Sequence, residues 1–152
     1  MPQMSIPVAS VEAVDTSHLE RLMGYNARRA ALHIIARFLK EMAPYGLRPV
    51  DFSVMSVINH NPGVTSRQIC NTLDILPPNL VSLINQLQKR ELIRRVPHPL
   101  DGRATGLHAT EKGQKLMVDA EQTATRLEAD ATARLSAAES KTLMRLLKKI
   151  YL

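Results

Sequence analysis

The chain has 152 residues, of which 45% are apolar, so it is long enough and apolar enough to form one folded domain with a hydrophobic core. Because it has only two Phe, three Tyr and no Trp, that core must be aliphatic, as in a helical assembly. The formal net charge of +6 permits a polyanionic partner. A single cysteine excludes an internal disulfide framework and suits a reducing cytoplasm, and no apolar stretch is long enough to predict a membrane span or a membrane partner.

The N-terminal part of the chain predicts an arm followed by two helices. Residues 1–16 have no hydrophobic period and are predicted to be flexible. Ser17 and Glu20 have the spacing of a capping box and predict the start of a long helix, which Pro44 and Gly46 would end. A second helix is predicted to begin at Pro49 and to end before the turn residues at 61–63.

The next segment has the pattern of a helix-turn-helix. Residues 64–73 predict a short helix, because Thr65 and Gln68 have capping-box spacing, and residues 74–76 predict a tight turn. A second, amphipathic helix follows at 77–89. Its apolar stripe consists of Leu80, Leu83, Ile84 and Leu87, and its polar face consists of Asn79, Ser82, Asn85, Gln86 and Lys89. Alone this helix would be an ordinary surface helix, but the short helix and turn before it favour a DNA-reading role.

Residues 92–109 change to the pattern of a small two-stranded wing. Strands are predicted at 92–96 and 105–109, with prolines and the Asp101-Gly102 pair forcing a turn between them. Residues 62–113 carry seven basic and four acidic side chains, which gives this region a positive excess where phosphates would lie.

The C-terminal residues predict two more helices. Thr110 is a candidate N-cap for a long helix reaching about Leu135, and Ser136 with Glu139 forms another capping box. The last helix has an apolar face that needs a partner surface, for which a second subunit is the simplest source. The sequence therefore predicts a mainly α fold with a small β-wing: an arm at 1–16, a helical dimerisation region at 17–44 and 114–152, and a winged helix-turn-helix at 47–113.

Residues 47–113 resemble the multiple antibiotic resistance regulator (MarR) family of bacterial transcription factors. The most specific matching pieces are Asp101-Gly102-Arg103 in the wing and Thr110-Glu111-Lys112-Gly113 after it. The sequence departs from the family pattern at Leu83, where a basic residue is common, and at Glu91, where glycine is common.

This resemblance implies a homodimeric, sequence-specific, DNA-binding regulator, by default a repressor. Two recognition helices would enter major grooves about 34 Å apart on an inverted-repeat operator. Arg94 and Arg95 alternate along a strand, so one of them would face phosphate and the other solvent, and Asp101 would orient Arg103 by an ion pair. The DNA-binding residues implied are Ser66, Pro77, Asn79, Ser82, Asn85, Gln86, Lys89, Arg94, Arg95, His98, Asp101 and Arg103. The dimer-interface residues implied are Leu19, Leu22, Leu127, Leu143, Leu146, Leu147 and Ile150.

The family is usually switched by a small aromatic or phenolic ligand. An Arg or His beside apolar side chains could pair with the carboxylate of such a ligand. The candidates are His33, Arg37, Phe38, Met42, Tyr45, Phe52 and Met55, although the apolar members of this set would also suit a plain core.

Other functions are less well supported by the sequence. Cys70 could act as a redox switch, but its position on the apolar side of a short helix suits an inert core cysteine better. A winged helix used only for protein contacts is a further alternative. The five histidines are scattered and predict no metal site, and the chain lacks the phosphate loop, nucleophile elbow and His-Glu-x-x-His motif of common enzymes, so neither an enzyme nor a cofactor is expected.

Overall fold

A computed structural model describes residues 11–152, so most of the predicted arm, residues 1–10, lies outside the described residues. Within the described part, six α-helices and three short strands confirm the mainly helical fold with a small β-wing. They are α1 (Met23–Glu41), α2 (Pro49–His60), β1 (Val64–Thr65), α3 (Ser66–Leu73), α4 (Pro77–Lys89), β2 (Ile93–Pro97), β3 (Thr105–Ala109), α5 (Glu111–Ala131) and α6 (Ala137–Tyr151). None of these helices is long and apolar enough to cross a membrane.

The chain divides into two compact units after Leu32, within α1. In the first unit, the predicted capping box at Ser17 is wrong. Leu19–Arg21 form a single 3-10 turn, and Leu22 is extended before α1 begins. The backbone N–H of Ser17 donates instead to the carboxylate of Asp15 at 2.9 Å, while the carboxylate of Glu20 accepts from the hydroxyl of Thr16.

The second unit, residues 33–152, has an aliphatic core, as the composition predicts. Helix α2 lies at its centre and packs against α3, α5 and β3. Among the described residues, Phe38 packs edge to face against the half-buried Phe52, with ring centroids 5.6 Å apart. The largest fully buried side chains are Met42, Val54, Met55, Ile58, Ile69, Leu80, Ile84, Leu92, Leu107, Met117 and Leu127.

The three remaining helix starts predicted from capping residues are confirmed. The Thr65 hydroxyl accepts from the Gln68 backbone N–H at 3.3 Å, and the Gln68 side chain accepts from the Thr65 N–H at 3.0 Å. Thr110 caps α5 by accepting from the N–H of Gly113 at 3.0 Å. At the start of α6 the backbone N–H of Ser136 donates to the carboxylate of Glu139, which lowers the pKa of that exposed group.

The wing sheet contains one strand more than the sequence predicts. Its order is β1-β3-β2, all antiparallel. The sequence predicts the residues of β1 as part of the short helix, but Val64 pairs with Leu107 and ties the helix-turn-helix to the wing. Gly106 is needed at this junction, because a Cβ there would lie 3.0 Å from the backbone oxygen of Gly63.

Candidate nucleic-acid interface

Helix α4 places a row of polar side chains on its outer surface. Its apolar stripe is buried, including Leu83, where the family often has a basic residue. On the opposite ridge lie Ser82, Asn85 and Lys89, spaced three and four residues apart and all exposed. Asn79 and Gln86 are exposed on one flank of this ridge. The structure thus brings the five predicted polar residues of α4 to one accessible surface.

The end of α4 is shaped by Glu91, which has a left-handed backbone with φ of 60°. The N–H of Leu92 donates to the carbonyl of Leu87 at 3.0 Å, and that of Glu91 donates to the carbonyl of Gln88 at 2.9 Å. These two bonds form a Schellman motif, the helix ending that a glycine usually provides. The departure from the family pattern at Glu91 therefore leaves the helix ending intact, with a non-glycine residue in a left-handed conformation.

Arg90 joins the end of α4 to the turn between α1 and α2, a role that the sequence analysis missed. Its guanidinium donates to the carbonyls of Tyr45 and Gly46, both at 2.7 Å, and its own carbonyl accepts from the Lys112 ammonium at 2.9 Å. A basic residue at a helix C-terminus is a weak sequence signal. Its partners lie more than forty residues away, so no local pattern identifies them.

The wing turn is ordered differently from the prediction. Among the described residues Asp101 and Arg103 form no ion pair; instead the Asp101 carboxylate accepts from the backbone N–H of Arg103 at 3.0 Å. The short side chain of an aspartate can accept a hydrogen bond from the backbone N–H two residues later in the chain, and this bond closes the turn. The Nδ1 atom of His98 accepts from the backbone N–H groups of Leu100 and Asp101 at 3.2 Å, so His98 orders the loop. Arg103 is exposed in this loop, two residues before β3 begins.

Arg95 reaches from β2 to the recognition helix. Its Nη2 donates to Oδ1 of Asn85 and its Nε donates to Oε1 of Gln88, both at 3.1 Å. Arg94 is also exposed, and strand alternation places it on the opposite face of β2. Of the other predicted DNA-binding residues, Ser66 is half-exposed at the start of α3 and Pro77 is exposed at the start of α4.

The seven predicted ligand-binding residues have different surroundings. Phe38, Met42 and Met55 lie in the core, with exposed fractions of 6%, 0% and 0%, and their assignment to a ligand site stays a prediction. The hydroxyl of Tyr45 lies 2.9 Å from that of Thr123 on α5. His33 and Arg37, by contrast, are exposed and line a cleft of about 690 Å³. The remaining lining residues of that cleft are Asp130, Ala131, Ala133 and Arg134.

Helix α6 presents an uncovered apolar face. None of its residues is buried, and Leu143, Leu146, Leu147 and Ile150 are between 39% and 65% exposed. Leu19 and Leu22, in the first unit, are 43% and 45% exposed. Leu127 is corrected: it is fully buried in the core of its own chain and has no surface to offer a partner.

The surroundings of Cys70 and of the possible metal ligands bear on the remaining alternatives. Cys70 is a half-buried thiol packed against the core, as the sequence predicts for a small hydrophobe. Residues 11–152 contain no cluster of three His, Cys, Asp or Glu side chains that could hold a metal ion.

Comparison with known proteins agrees with this geometry. Residues 45–104 match the family model described as the MarR family. A protein of Thauera aromatica, described as a transcriptional regulator for the hcr operon, is 32% identical over 130 residues, which cover 85% of this chain and 78% of that protein. The solved repressor CouR bound to a 23-mer DNA duplex is 34% identical, with a TM-score of 0.86 and coverage of 92% of this chain and 99% of that one. CouR bound to p-coumaroyl-CoA is 33% identical, with a TM-score of 0.81 and coverage of 91% and 97%. The chain therefore belongs to the MarR family of winged helix-turn-helix, DNA-binding transcriptional regulators and is not an enzyme.

Proposed function

We propose that this protein is a homodimeric repressor, released from an inverted-repeat operator by an aromatic acid or its coenzyme A thioester. The observation that carries the proposal is the exposed polar ridge of α4, next to a wing whose Arg95 contacts that helix and whose loop exposes Arg103. Amide, hydroxyl and ammonium groups on one ridge suit base edges and phosphates. The similarity to the repressor CouR, which has been solved bound to a DNA duplex, supports DNA as the partner.

The wing contact is tested by Arg103→Ala. Loss of one DNA contact is expected to weaken operator binding by about 1–3 kcal/mol. Lys115→Ala is the matched control, because it removes the same charge away from the α4 surface. Lys115 is an exposed cation on α5 and is paired with Glu111 at 3.0 Å. Fluorescence anisotropy with a labelled operator measures both variants. Equal affinity of Arg103→Ala and the parent protein would refute the wing assignment.

Salt dependence separates DNA binding from a winged helix that binds only proteins. Each phosphate neutralised should lower the logarithm of the affinity by about 0.9 per tenfold rise in salt. Arg103→Ala should reduce this slope by about one phosphate if the guanidinium contacts the backbone. An affinity that is independent of salt and of DNA sequence would refute the proposed regulator.

The dimer is tested on α6. Leu147 lies in the middle of the uncovered apolar face, and a carboxylate there would have to be desolvated in an interface. Leu147→Glu should therefore convert a dimer to a monomer in sedimentation velocity at micromolar concentration. Lys148→Glu, next in the chain but on the polar side of α6, controls for the new charge and should remain dimeric. A parent protein that sediments as a monomer would contradict the proposal.

The effector is proposed to occupy the cleft lined by His33, Arg37 and Arg134. Two guanidinium groups and an imidazole suit a carboxylate or the phosphates of coenzyme A, although Asp130 reduces the net positive charge of the cleft. The relative bound to p-coumaroyl-CoA supports an aromatic acyl ligand. The probes are p-coumarate, p-coumaroyl-CoA and coenzyme A alone, measured by isothermal titration calorimetry.

The matched variants for this experiment are Arg37→Met and the His33→Ala/Arg37→Met pair. If the cleft is the site, the pair should weaken binding of the best probe by more than tenfold while leaving operator affinity unchanged. Lys40→Met, an exposed cation one turn along α1, should bind as the parent does. Full retention of binding by the His33/Arg37 pair would place the effector elsewhere.

A further inference from the structure

Arg95 makes contacts that fix the side-chain amides of the recognition helix. Its planar guanidinium is within 3.1 Å of one amide oxygen on Asn85 and one on Gln88. The two residues are three apart on α4, so a single guanidinium can bridge both across one turn of the helix. This bridge connects a side chain of β2 to the outer surface of α4.

The bridge determines which way the amide of Asn85 points. A guanidinium only donates hydrogen bonds, so it must meet the oxygen of the amide and not its nitrogen. The NH₂ group of Asn85 is then turned away from Arg95. Asn85 lies on the outer ridge of α4 between Ser82 and Lys89, so the group left available on this surface is a hydrogen-bond donor.

We propose that Arg95 is a specificity-determining, positioning residue that makes Asn85 read guanine rather than adenine. In the major groove guanine offers two acceptors, N7 and O6, whereas adenine offers the N7 acceptor beside an N6 donor. A free asparagine binds adenine with its oxygen and its NH₂ together. With its oxygen held toward Arg95, Asn85 presents its two N–H donors to the base pair, and these match guanine. This inference rests on the proposed placement of α4 in the major groove.

The position of Arg95 on its strand makes Arg94 a matched control. Both arginines are exposed, both are on β2, and each carries one positive charge. In the register of the sheet Arg95 lies opposite Leu107 and Arg94 opposite His108, so they point to opposite faces. Removing either one costs the same charge, but only Arg95 contacts Asn85 and Gln88.

The test is selection of binding sites from a randomised inverted-repeat library by the dimeric parent protein and four variants. The parent should select guanine at one symmetric position in each half-site, and Asn85→Ala should lose selection at that position only. Arg95→Met should gain adenine there, with a change in the guanine-to-adenine ratio of about 5- to 150-fold, the discrimination given by one bidentate pair. Arg95→Lys should change the ratio in the same direction, because an ammonium keeps the charge but loses the two-pronged guanidinium. Arg94→Met should keep the parent's ratio.

The outcomes distinguish failure of this inference from failure of the proposed placement of α4 on DNA. If Asn85→Ala alters no position while DNA binding persists, the placement of α4 is wrong and the inference is overturned with it. If Asn85→Ala acts at one position but Arg95→Met lowers affinity equally for all sequences, as Arg94→Met does, Arg95 is a phosphate contact and only the inference is overturned. Selection of adenine at that position by the parent protein would also overturn it. Circular dichroism of each variant verifies that the fold is kept.

Discussion

Gly113 closes the junction between the wing and α5, and its replacement by alanine is expected to destabilise the protein. Helix propensity predicts the opposite, since alanine is better than glycine in a helix by about 1 kcal/mol. A Cβ at this position, however, would lie 2.1 Å from the carbonyl oxygen of Leu92 and 3.0 Å from its carbon. That oxygen also accepts from the N–H of Thr110 at 3.0 Å, so it cannot move without losing a bond.

The size of the effect follows from these contacts. Overpacking costs about 1–3 kcal/mol, and the hydrogen bond to Leu92 is worth about 1 kcal/mol. After the gain in helix propensity, which offsets about as much as the lost hydrogen bond costs, Gly113→Ala should lower the free energy of unfolding by about 1–3 kcal/mol. For a chain of this length that lowers Tm by about 2–12 °C.

The assay is thermal unfolding followed by circular dichroism at several fixed protein concentrations, because the proposed dimerisation would also raise Tm. Gly24→Ala is the control: Gly24 is helical, and a Cβ there meets nothing within 4 Å. The control should be neutral or slightly stabilised. A Tm for Gly113→Ala equal to or above that of the parent would refute the steric argument.

Three further changes test the site. Glu91→Gly should raise the free energy of unfolding by about 0.5–1 kcal/mol in urea titrations, because it removes a left-handed non-glycine residue. Glu91→Ala is the control: it keeps a non-glycine residue in that conformation and should give no gain. Both variants lose the 3.7 Å contact between Glu91 and Lys112, which is too exposed to contribute much to stability. Arg90→Met should lower stability by about 2 kcal/mol through loss of two charge-assisted hydrogen bonds, and an unchanged urea midpoint would show that these bonds are not needed. Cys70→Ser and the parent should both keep operator affinity after treatment with peroxide, and loss of binding by the parent alone would revive the redox alternative.

Signals that lie within a few neighbouring residues were sufficient to predict most elements. The capping residues Thr65, Thr110 and Ser136 each start the helix that they predict, because their partners lie three residues away. The same rule failed at Ser17, whose backbone N–H donates to the nearby carboxylate of Asp15 and not to that of Glu20. Capping spacing shows that a bond can form, but not which of two neighbouring acceptors takes it.

The missed features all depend on partners far along the chain. Strand β1 has two residues, too few to show a period, and exists because Val64 pairs with Leu107. Leu127 and Leu147 both repeat at helical spacing, yet one is fully buried and the other is 39% exposed. Periodicity identifies an apolar face, whereas the surface that covers it is set by the tertiary fold.

The contacts around Arg90 and Thr110 explain how α4 is linked to the rest of its unit. Arg90 ties the end of α4 to the turn at Tyr45, and Tyr45 is bonded in turn to Thr123 on α5. The hydroxyl of Thr110 donates to the carbonyl of Glu91 at 2.6 Å, so the start of α5 holds the same helix end. A shift of α5 must therefore carry the C-terminal end of α4 with it or break several hydrogen bonds. Since the proposed effector cleft includes residues at and just after the end of α5, we propose such a shift as the route from bound ligand to the orientation of the recognition helix.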